Sequence, residues 1–523
     1  MKLSYKRTIL VGFAFFLISA FWQAYDATIP VILTNKFGMN QTWSGVIMAL
    51  DNILALFMLP LFGALSDKCR SRHGKRTPFI TIGCVFAAVA LVCLSFVDNA
   101  QLKNLSEAAK IDDPAALTVV YRAQAQEKLL TPQGEEFVLA EVFTEEEFAA
   151  ITSKIPDTSE GAKPDATVSN PEYTKYVVPA RQAYAAAVTA EDPVPLILFV
   201  ALLLVVLVSM ATFRSPAVAL MPDVTMKPLR SKANAVINLM GTAGGILVLV
   251  LGIVFATSSV KNSMMSYTVF YMVIAGIMLT ALTIFLLTVR EPLWAQQMRE
   301  DSLRYGVEEE EEEKPQEEKR GLTSGQRRSL LLILASIALW YFGYNAVTSK
   351  YSVYAGNILH KDYNTTMLLA QAAAIVAYLP AGMVATKIGR RKTILAGVVM
   401  LTTAFGSAAL MTAESPTWLM NVLFALAGIA WATINVNSFP MVVEMCSGAE
   451  IGKYTGYYYT ASMAAQIATP MLSGLLMDQM GMTVLFPYAA VFVALAFVTM
   501  FCVRHGDAKP QAKKGLEALD IDD

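Results

Sequence analysis

Two carboxylic acids stand inside apolar stretches of this sequence, and both are candidates for proton or cation chemistry. Asp26 lies in the stretch 8–34 and Asp51 in the stretch 43–65. If these stretches are helices of opposite direction, a rise of about 1.5 Å per residue brings the two carboxyl groups to nearly the same depth. Two close carboxylates do not readily ionise together, so one takes up a proton or the pair shares a cation. The alternative for either residue alone is a structural cap or a hydrogen-bond anchor.

Arginine, aromatic and amide side chains occur in other apolar stretches. Arg214 lies about 10 Å inward of the centre of 194–220 at the same rise per residue, where it pairs with a carboxylate or holds a solute hydroxyl. The alternatives are that it extends to the inner end of its stretch or closes a gate there. Amides match the hydroxyl groups of a polyhydroxy compound, and an aromatic face packs on its C–H groups. The candidates for solute binding are Trp22, Gln23, Asn52, Arg214, Trp340, Tyr344, Asn345 and Asn435.

A charged hairpin occurs twice in the chain, at points about half the sequence apart. The first copy reads GALSDK at 63–68 and GKR at 74–76, and the second reads GMVATK at 382–387 and GRRK at 389–392. Each copy follows one long apolar stretch and precedes another. Their candidate gate residues are Asp67, Arg70, Arg72, Gly74, Arg76, Gly389, Arg390 and Arg391. The alternative is that the basic residues only hold each loop on the inner side of a membrane.

Twelve apolar segments position these residues, and each is long enough to cross a bilayer. A hydrocarbon core of about 30 Å needs about 20 residues of helix. The predicted spans are 8–34, 43–65, 78–97, 194–220, 232–256, 267–289, 329–351, 367–387, 393–412, 417–443, 454–477 and 484–503. The Lys/Arg bias of the loops places both termini in the cytoplasm. We therefore predict an all-α, multi-pass protein of the plasma membrane, with twelve transmembrane helices in two six-helix pseudo-repeats.

Polar segments divide the chain into domains. We predict spans 1–3 at 1–97, an exterior insertion at 98–192, spans 4–6 at 193–289, a Glu-rich cytoplasmic linker at 290–328, spans 7–12 at 329–503 and a cytoplasmic tail at 504–523. The insertion is acidic, and we predict short helices at 118–129 and 144–154 followed by a linker at 156–171. It is interpreted as a solvated decoration, with a partner-binding or gate-covering cap as the alternative. Six glutamates at 308–313 predict a solvated, flexible tether between the halves.

The composition excludes several classes of protein. Hydrophobic residues make up 55% of the chain and charged residues 16%, whereas soluble domains carry about 25% charge. A net charge of −1 gives no basic patch for a nucleic acid. The three histidines fall in predicted loops or the tail, and the five cysteines lack metal-ligand spacing, so we expect no metal site and no disulfide framework. No nucleotide loop or nucleophile–base pair is visible in the sequence, which argues against an enzyme.

The paired hairpins resemble the loop motif of the major facilitator superfamily, over all twelve spans. The first copy, SDKCRSRHGKRTPFI at 66–80, is more specifically similar to the sucrose-transporter-like and glycoside–pentoside–hexuronide cation symporters. The segment ALMPDVT at 219–225 also resembles the latter group. The resemblance implies alternating access, with a sugar or glycoside carried alongside H⁺ or Na⁺. It further implies that the hairpin residues govern the inner gate.

We therefore expect a cation-coupled sugar symporter in which Asp26 and Asp51 couple the cation. Its expected partners are a small-molecule solute, a sugar, and the lipid bilayer, with no nucleic acid, and we expect a monomer. No resident cofactor or metal is expected beyond the co-transported H⁺ or Na⁺. The alternatives are an exporter or facilitator of a non-sugar solute and a membrane sensor without transport. The direction of solute movement under an imposed proton gradient separates symport from export.

Overall fold

The chain is dominated by long helices in its computed structural model, which describes residues 3–157, 165–226, 229–304, 323–443, 445 and 451–505. The helices are α1 Tyr5–Asn35, α2 Gln41–Lys68, α3 Thr77–Asn104, α4 Pro114–Gln124, α5 Leu139–Val142, α6 Glu145–Ala149, α7 Val178–Glu191, α8 Val194–Val224, α9 Arg230–Val254, α10 Thr268–Thr288, α11 Glu291–Arg304, α12 Ser324–Tyr354, α13 Tyr363–Ile388, α14 Arg390–Ala408, α15 Thr417–Val443, α16 Ile451–Met480 and α17 Leu485–Phe501. The strands found in these residues are β1 Lys128–Leu130, β2 Glu136–Val138, β3 Lys154–Pro156 and β4 Thr167–Ser169.

A long helix lies over each of the twelve predicted spans. Within the described residues, nine helices are long and apolar enough to cross a membrane. The other three long helices are α13, α14 and α16. Of these, α14 begins with Arg390, Arg391 and Lys392, and α16 contains a run of tyrosines and Asp478. The number of membrane crossings and the cytoplasmic position of the termini stay predictions.

The long helices form two bundles, and each bundle has its own apolar core. In the N-terminal bundle, α1–α3 and α8–α10 bury side chains such as Phe21, Leu94 and Phe285. The C-terminal bundle consists of α12–α17 and has a separate core. Large apolar side chains also face outward, as at Leu287 and Val376, which are 78% and 74% exposed. An apolar outer surface of this kind is what a helix bundle needs in contact with lipid.

The two bundles are hydrogen-bonded to each other at the end that carries the insertion, called here the insertion end. The Asp478 carboxylate accepts hydrogen bonds from the backbone N–H groups of Gln41, at 2.8 Å, and Thr42, at 2.7 Å. Lys350 Nζ donates to the Gln41 carbonyl at 2.6 Å. The Asn364 amide donates to hydroxyl groups just beyond α9. These bonds close the insertion end between the bundles; the opposite end, which carries the two charged hairpins, is called the hairpin end.

The insertion is more ordered than the sequence predicts. It begins after α3, which continues to Asn104, and it contains α4–α7 and two antiparallel hairpins, β1–β2 and β3–β4. The predicted helix 118–129 ends at Gln124, and the predicted helix 144–154 is the shorter α6 followed by β3. The predicted linker 156–171 contains β4, and residues 158–164 lie outside the described residues. Strands of three residues show too little alternation to be recognised from sequence.

The predicted tether between the bundles begins with a helix, α11. Its first residue, Glu291, is buried against the first charged hairpin. Its Trp294 ring lies under the guanidinium of Arg7, 5.4 Å from the ring centroid. Residues 305–322, which include the six glutamates, and residues 506–523 of the predicted tail lie outside the described residues. The start of the tether is therefore fixed to the N-terminal bundle.

Candidate functional site between the two bundles

A cavity of about 470 Å³ lies between the bundles. It is lined by α1, α8 and α9 from the N-terminal bundle and by α12, α13 and α15 from the C-terminal bundle, with one residue of α14. The predicted site residues in its lining are Trp22, Gln23, Asp26, Arg214, Tyr344 and Asn435. Cavities of this size, walled by aromatic side chains and a few polar groups, are typical of small-molecule sites.

Two carboxylates and one guanidinium form a charged cluster at the wall of this cavity. Asp26 lines the cavity, and Asp51 on α2 lies close enough for the two charges to interact. Asp51 also interacts with the charge of Arg214 and accepts a hydrogen bond from Asn52 Nδ2 at 2.8 Å. The Arg214 guanidinium lies 5.9 Å from the centroid of the Trp22 ring. With both acids ionised, the two carboxylates and the guanidinium would carry one net negative charge, which a single bound proton or monovalent cation would neutralise.

An aromatic platform forms the C-terminal wall of the cavity. The rings of Tyr344 and Trp431 stack with centroids 3.6 Å apart and an interplanar angle of 6°. Tyr341 packs edge-on against Trp431 with centroids 5.3 Å apart. Trp431 is not among the residues predicted for solute binding, although a tryptophan inside the predicted span 417–443 was a usable signal. The platform presents a flat apolar face of the kind that packs on the C–H groups of a sugar ring.

Two residues of the N-terminal wall carry hydrogen-bond donors without a partner among the described residues. The indole N–H of Trp22 and the amide nitrogen of Asn238 are buried and have no hydrogen-bond partner among the described residues. Both residues line the cavity. Buried donors are costly without a partner, so these two are suited to receive the oxygen atoms of a polar solute. Asn238 lies in the predicted span 232–256, and its amide inside an apolar segment was the signal that could have identified it.

Gln23 connects the two walls of the cavity. Its Nε2 donates to the Tyr363 hydroxyl at 3.2 Å, and its Oε1 accepts from Gln371 Nε2 at 2.5 Å. Both partners lie on α13 of the opposite bundle. Gln371 also lines the cavity and was not predicted; its amide within the predicted span 367–387 could have identified it. One side chain therefore takes part in the cavity wall and in the contact between bundles.

Three predicted solute-binding residues lie outside the lining of the cavity, which corrects their expected position. Trp340 is 1% exposed and packs in the core of the C-terminal bundle. Asn345 has a buried amide nitrogen that lacks a hydrogen-bond partner among the described residues, but the side chain is not part of the wall. Asn52 lies with Asp51 behind the wall and is bonded to it. Depth along a helix was predicted from the sequence, whereas the direction of each side chain depends on how the helix is rotated in its bundle.

The first charged hairpin is held together by Arg76. Its guanidinium Nη2 lies 2.5 Å from Asp67 Oδ1, and its Nε lies 2.8 Å from Asp223 Oδ2 on α8. Nη1 also donates to the Ser66 hydroxyl. Burial opposes the charge of Arg76, but the bonds to Asp223 and Asp67 outweigh this effect and raise its pKa. The predicted gate residues Asp67 and Arg76 therefore contact each other, and they do so within the N-terminal bundle.

The turn of the same hairpin is fastened to α11 through Glu291. The Glu291 carboxylate accepts from the backbone N–H groups of Lys75, at 2.6 Å, and Thr77, at 2.8 Å. Gly74 has a φ of +112° and lies directly under this carboxylate, where a Cβ atom would overlap it. Glycine is thus required both for the backbone conformation and for the close approach. Glu291 was not predicted as a site residue; a glutamate just after the sixth predicted span gives only a weak signal.

The remaining predicted gate residues fall into two groups. Arg70 and Arg72 are exposed. In the second hairpin, Gly389 has a φ of +94° and forms the turn between α13 and α14. Arg390 is buried, and Arg391 donates to the carbonyls of residues 500 and 501 at the end of α17. These contacts of Arg391 stay within the C-terminal bundle, and a gating role for either hairpin stays a prediction.

Models of known protein families match most of this sequence and identify its family. The family model described as Major Facilitator Superfamily matches residues 182–375 and 362–519. The chain belongs to the Major Facilitator Superfamily. A second model of this superfamily, described as MFS/sugar transport protein, matches residues 10–102. The family and the apolar helices together make the chain a multi-pass membrane protein.

Individual Major Facilitator Superfamily proteins match shorter parts of the chain. An MFS-type transporter, ppzB of Metarhizium majus, is 28% identical over 136 residues, which cover 26% of this chain and 29% of the relative. The sucrose transport protein SUC4 of Arabidopsis thaliana is 34% identical over 74 residues, 14% of each chain. The chain thus spans less than a third of the length of these curated relatives.

Solved superfamily structures match nearly the whole chain at low identity. The inward open conformation of the xylose transporter XylE from E. coli has a TM-score of 0.54 and 14% identity, covering 98% of both chains. The nucleoside transporter NupG, in a mutant form, has a TM-score of 0.52 and 12% identity, covering 95% of this chain and 100% of that one. At these identities the likeness concerns the fold.

Proposed function

We propose that this chain takes up a sugar or glycoside by alternating access, driven by the inward movement of H⁺ or Na⁺. The observation that carries the proposal is the meeting of three features in one cavity. The stacked Tyr344–Trp431 platform offers a flat apolar face, and the unpaired donors of Trp22 and Asn238 lie in the same lining. Asp26 belongs to that lining as well. A sugar needs both an apolar face and hydrogen-bond donors, and coupling needs an ionisable group beside it.

The charged cluster supports coupling through Asp26. Asp51 accepts a hydrogen bond from Asn52 and interacts with the charge of Arg214, and both contacts favour its anionic form. Asp26 lies beside it in the wall and is the group that gains or loses a cation. A proton or cation bound to Asp26 removes its repulsion with Asp51 in an apolar environment. The free energy needed to keep Asp26 buried while the bundles move is then lower. Occupancy of the cation site would then be linked to the rocking of the bundles.

The known relatives support the choice of solute. The sucrose transport proteins of Arabidopsis thaliana and Oryza sativa are similar to part of the chain, and the fold is shared with a D-xylose-proton symporter. In the predicted orientation, the hairpin end faces the cytoplasm and the insertion end faces the exterior. Because the insertion end is closed, we interpret the structure as an inward-facing state, and we propose that the protein acts as a monomer in the plasma membrane.

The proposal is tested by uptake of radiolabelled mono- and disaccharides into proteoliposomes, with H⁺ and Na⁺ gradients imposed separately. Wild-type protein should accumulate at least one sugar under one gradient. Asp26→Asn should lose accumulation but retain exchange of labelled for unlabelled sugar, because the solute contacts remain. The matched control is Glu136→Gln, an exposed carboxylate of the insertion, which should behave as wild type.

Three results would contradict the proposal. Flat uptake of every sugar under both gradients, from protein that is folded and correctly inserted, would exclude sugar symport. Accumulation that survives in Asp26→Asn would assign the coupling to another group. Efflux of solute driven by an inward proton gradient would instead identify an exporter.

A further inference from the structure

The described residues of the insertion, 105–157 and 165–193, form a folded cap with its own core. Leu117, Phe148 and Tyr173 are buried in this core. The guanidinium of Arg181 is also buried and donates to the backbone carbonyls of Ala108 and Lys110. A loop that only decorates a surface has no need of a core or of a buried arginine. The insertion is therefore a folded unit that connects the elements it contacts.

One side of the insertion is attached to the N-terminal bundle through α7. Gln182 Nε2 donates to Asn35 Oδ1 at the end of α1, at 2.8 Å. Gln101 on α3 donates to both the Lys36 carbonyl, at 2.9 Å, and the Thr189 hydroxyl on α7, at 3.0 Å. These contacts surround the connection from α1 to α2. The cap is thus fixed to the segment that leads into the first turn of α2.

The other side of the insertion reaches the C-terminal bundle through the turn between β1 and β2. The backbone N–H of Met482 donates to the Pro132 carbonyl at 2.7 Å. Gly134 and Gly481 have φ values of +90° and +86°, and a Cβ on Gly134 would lie 3.0 Å from the Gly481 nitrogen. The two turns therefore pack backbone against backbone, and a side chain at either glycine would separate them.

The docked turn lies beside the hydrogen bonds that join the two bundles. A cavity of about 210 Å³ is lined by Gln41 and Asp478 of the bundle junction and by Pro132 and Gly134 of the docked turn. Asp478 lies on the last turn of α16, three residues before Gly481. The junction itself is strongly polar, with Lys350 fully buried and bonded across it. The insertion consequently holds both sides of the same junction.

We propose that the insertion is a third component of the gate at the insertion end. It fastens the start of α2 to the turn after α16, so that this end opens only when the β1–β2 turn leaves Gly481. Release of the turn is then a step of each transport cycle. The proposal requires that the bundles separate at this end, as alternating access does, but it depends on neither the solute nor the cation.

The test measures opening directly, in a background without the native cysteines. A single cysteine is introduced at Thr348, which lines the central cavity, and is labelled by a membrane-impermeant maleimide from the insertion side. Labelling of Glu136→Cys on the exposed insertion reports vesicle orientation. Gly134→Val should increase the rate of Thr348→Cys labelling about fivefold, as expected for the loss of one hydrogen bond. Glu136→Gln on the same hairpin should leave the rate unchanged.

A second variant separates the insertion from the junction beneath it. Asp478→Asn weakens the bonds between the bundles without touching the insertion and should also accelerate labelling. If Asp478→Asn accelerates labelling while Gly134→Val labels at the wild-type rate, the insertion is not part of the gate. Labelling needs no transported solute, so this result is independent of whether the sugar proposal holds.

A cross-link provides a test that is insensitive to folding defects of the glycine variant. Gln133→Cys and Met480→Cys replace exposed side chains beside the two docked glycines, and a cleavable cross-linker joins their thiols after the protein has folded. The joined protein should lose at least nine-tenths of its Thr348→Cys labelling and of its uptake, and cleavage should restore both. Unchanged labelling of the joined protein would overturn the proposal.

Discussion

Removal of one partner from the buried ion pair of the N-terminal bundle should cost more stability than removal of both. Lys36 and Asp98 are each 0% exposed, with Nζ 2.7 Å and 2.6 Å from the two carboxylate oxygens. Nζ also donates to the Met265 carbonyl at 2.7 Å. Lys36→Met leaves a carboxylate buried without its counter-charge, which costs about 3–5 kcal/mol. The double variant Lys36→Met/Asp98→Leu leaves neither charge of the pair buried. Its free energy of unfolding should fall by only about 1–2 kcal/mol, because the new apolar side chains do not fit the site perfectly.

Thermal unfolding in detergent, followed by a thiol-reactive dye, measures this difference. The variants are made in a background in which Cys84 is the one cysteine kept. Cys84 lies on α3 and is 0% exposed, so the dye reacts with it only after the N-terminal bundle unfolds. An entropy of about 2.1 cal/mol/K per residue over 523 residues gives about 1.1 kcal/mol/K. The single variant should therefore lower Tm by about 3–5 °C and the double variant by about 1–2 °C. A double variant that unfolds below the single variant would refute the reasoning, because the pair would then be a net source of stability.

Three further substitutions test other parts of the structure. Trp431→Ala removes one ring of the stacked platform. It should raise the KM for sugar uptake about tenfold, which corresponds to about 1.4 kcal/mol, and should change kcat little. Uptake rates measured over a range of sugar concentrations test this. Glu291→Gln replaces the carboxylate that binds the first hairpin with a neutral amide. The attachment of the hairpin to α11 should lose about 1.5–3 kcal/mol, which faster tryptic cleavage after Arg72 would reveal. Tyr271→Phe removes a 2.7 Å hydrogen bond to Thr28 and should lower Tm by only about 1 °C, because Thr28 still donates to its own helix.

The sequence was sufficient to predict where the helices lie but not how they are rotated. Apolar length located a long helix at each predicted span, since a bilayer dictates length strongly. Asp26 and Arg214 were chosen as charged residues inside apolar helices, and both line the central cavity. Such side chains face the protein interior because exposure of a charge to lipid is costly. Trp340 was misplaced, since its helix turns that ring into the core of its own bundle. Aromatic side chains are acceptable in a core, in a cavity or at a lipid surface, so residue type does not choose among these positions.

Contacts between distant segments were also invisible in the sequence. Gln23 and Gln371 meet only because the bundles come together, and neither local pattern contains information about the other. The insertion was underestimated for a different reason. Its strands have three residues each and its helix α6 has five, so packing against the core around Phe148, rather than local propensity, determines their structure.

The position of Gln23 has a thermodynamic consequence for solute recognition. Its amide joins the bundles through Tyr363 and Gln371 while it also faces the cavity. A solute hydroxyl that bonds to this amide exchanges one hydrogen bond for another, so the contact adds little to the measured affinity. The same exchange removes a bond that opposes separation of the bundles. A solute analogue that lacks this hydroxyl should therefore bind nearly as well and yet be carried more slowly, which makes Gln23 a point where recognition is converted into movement.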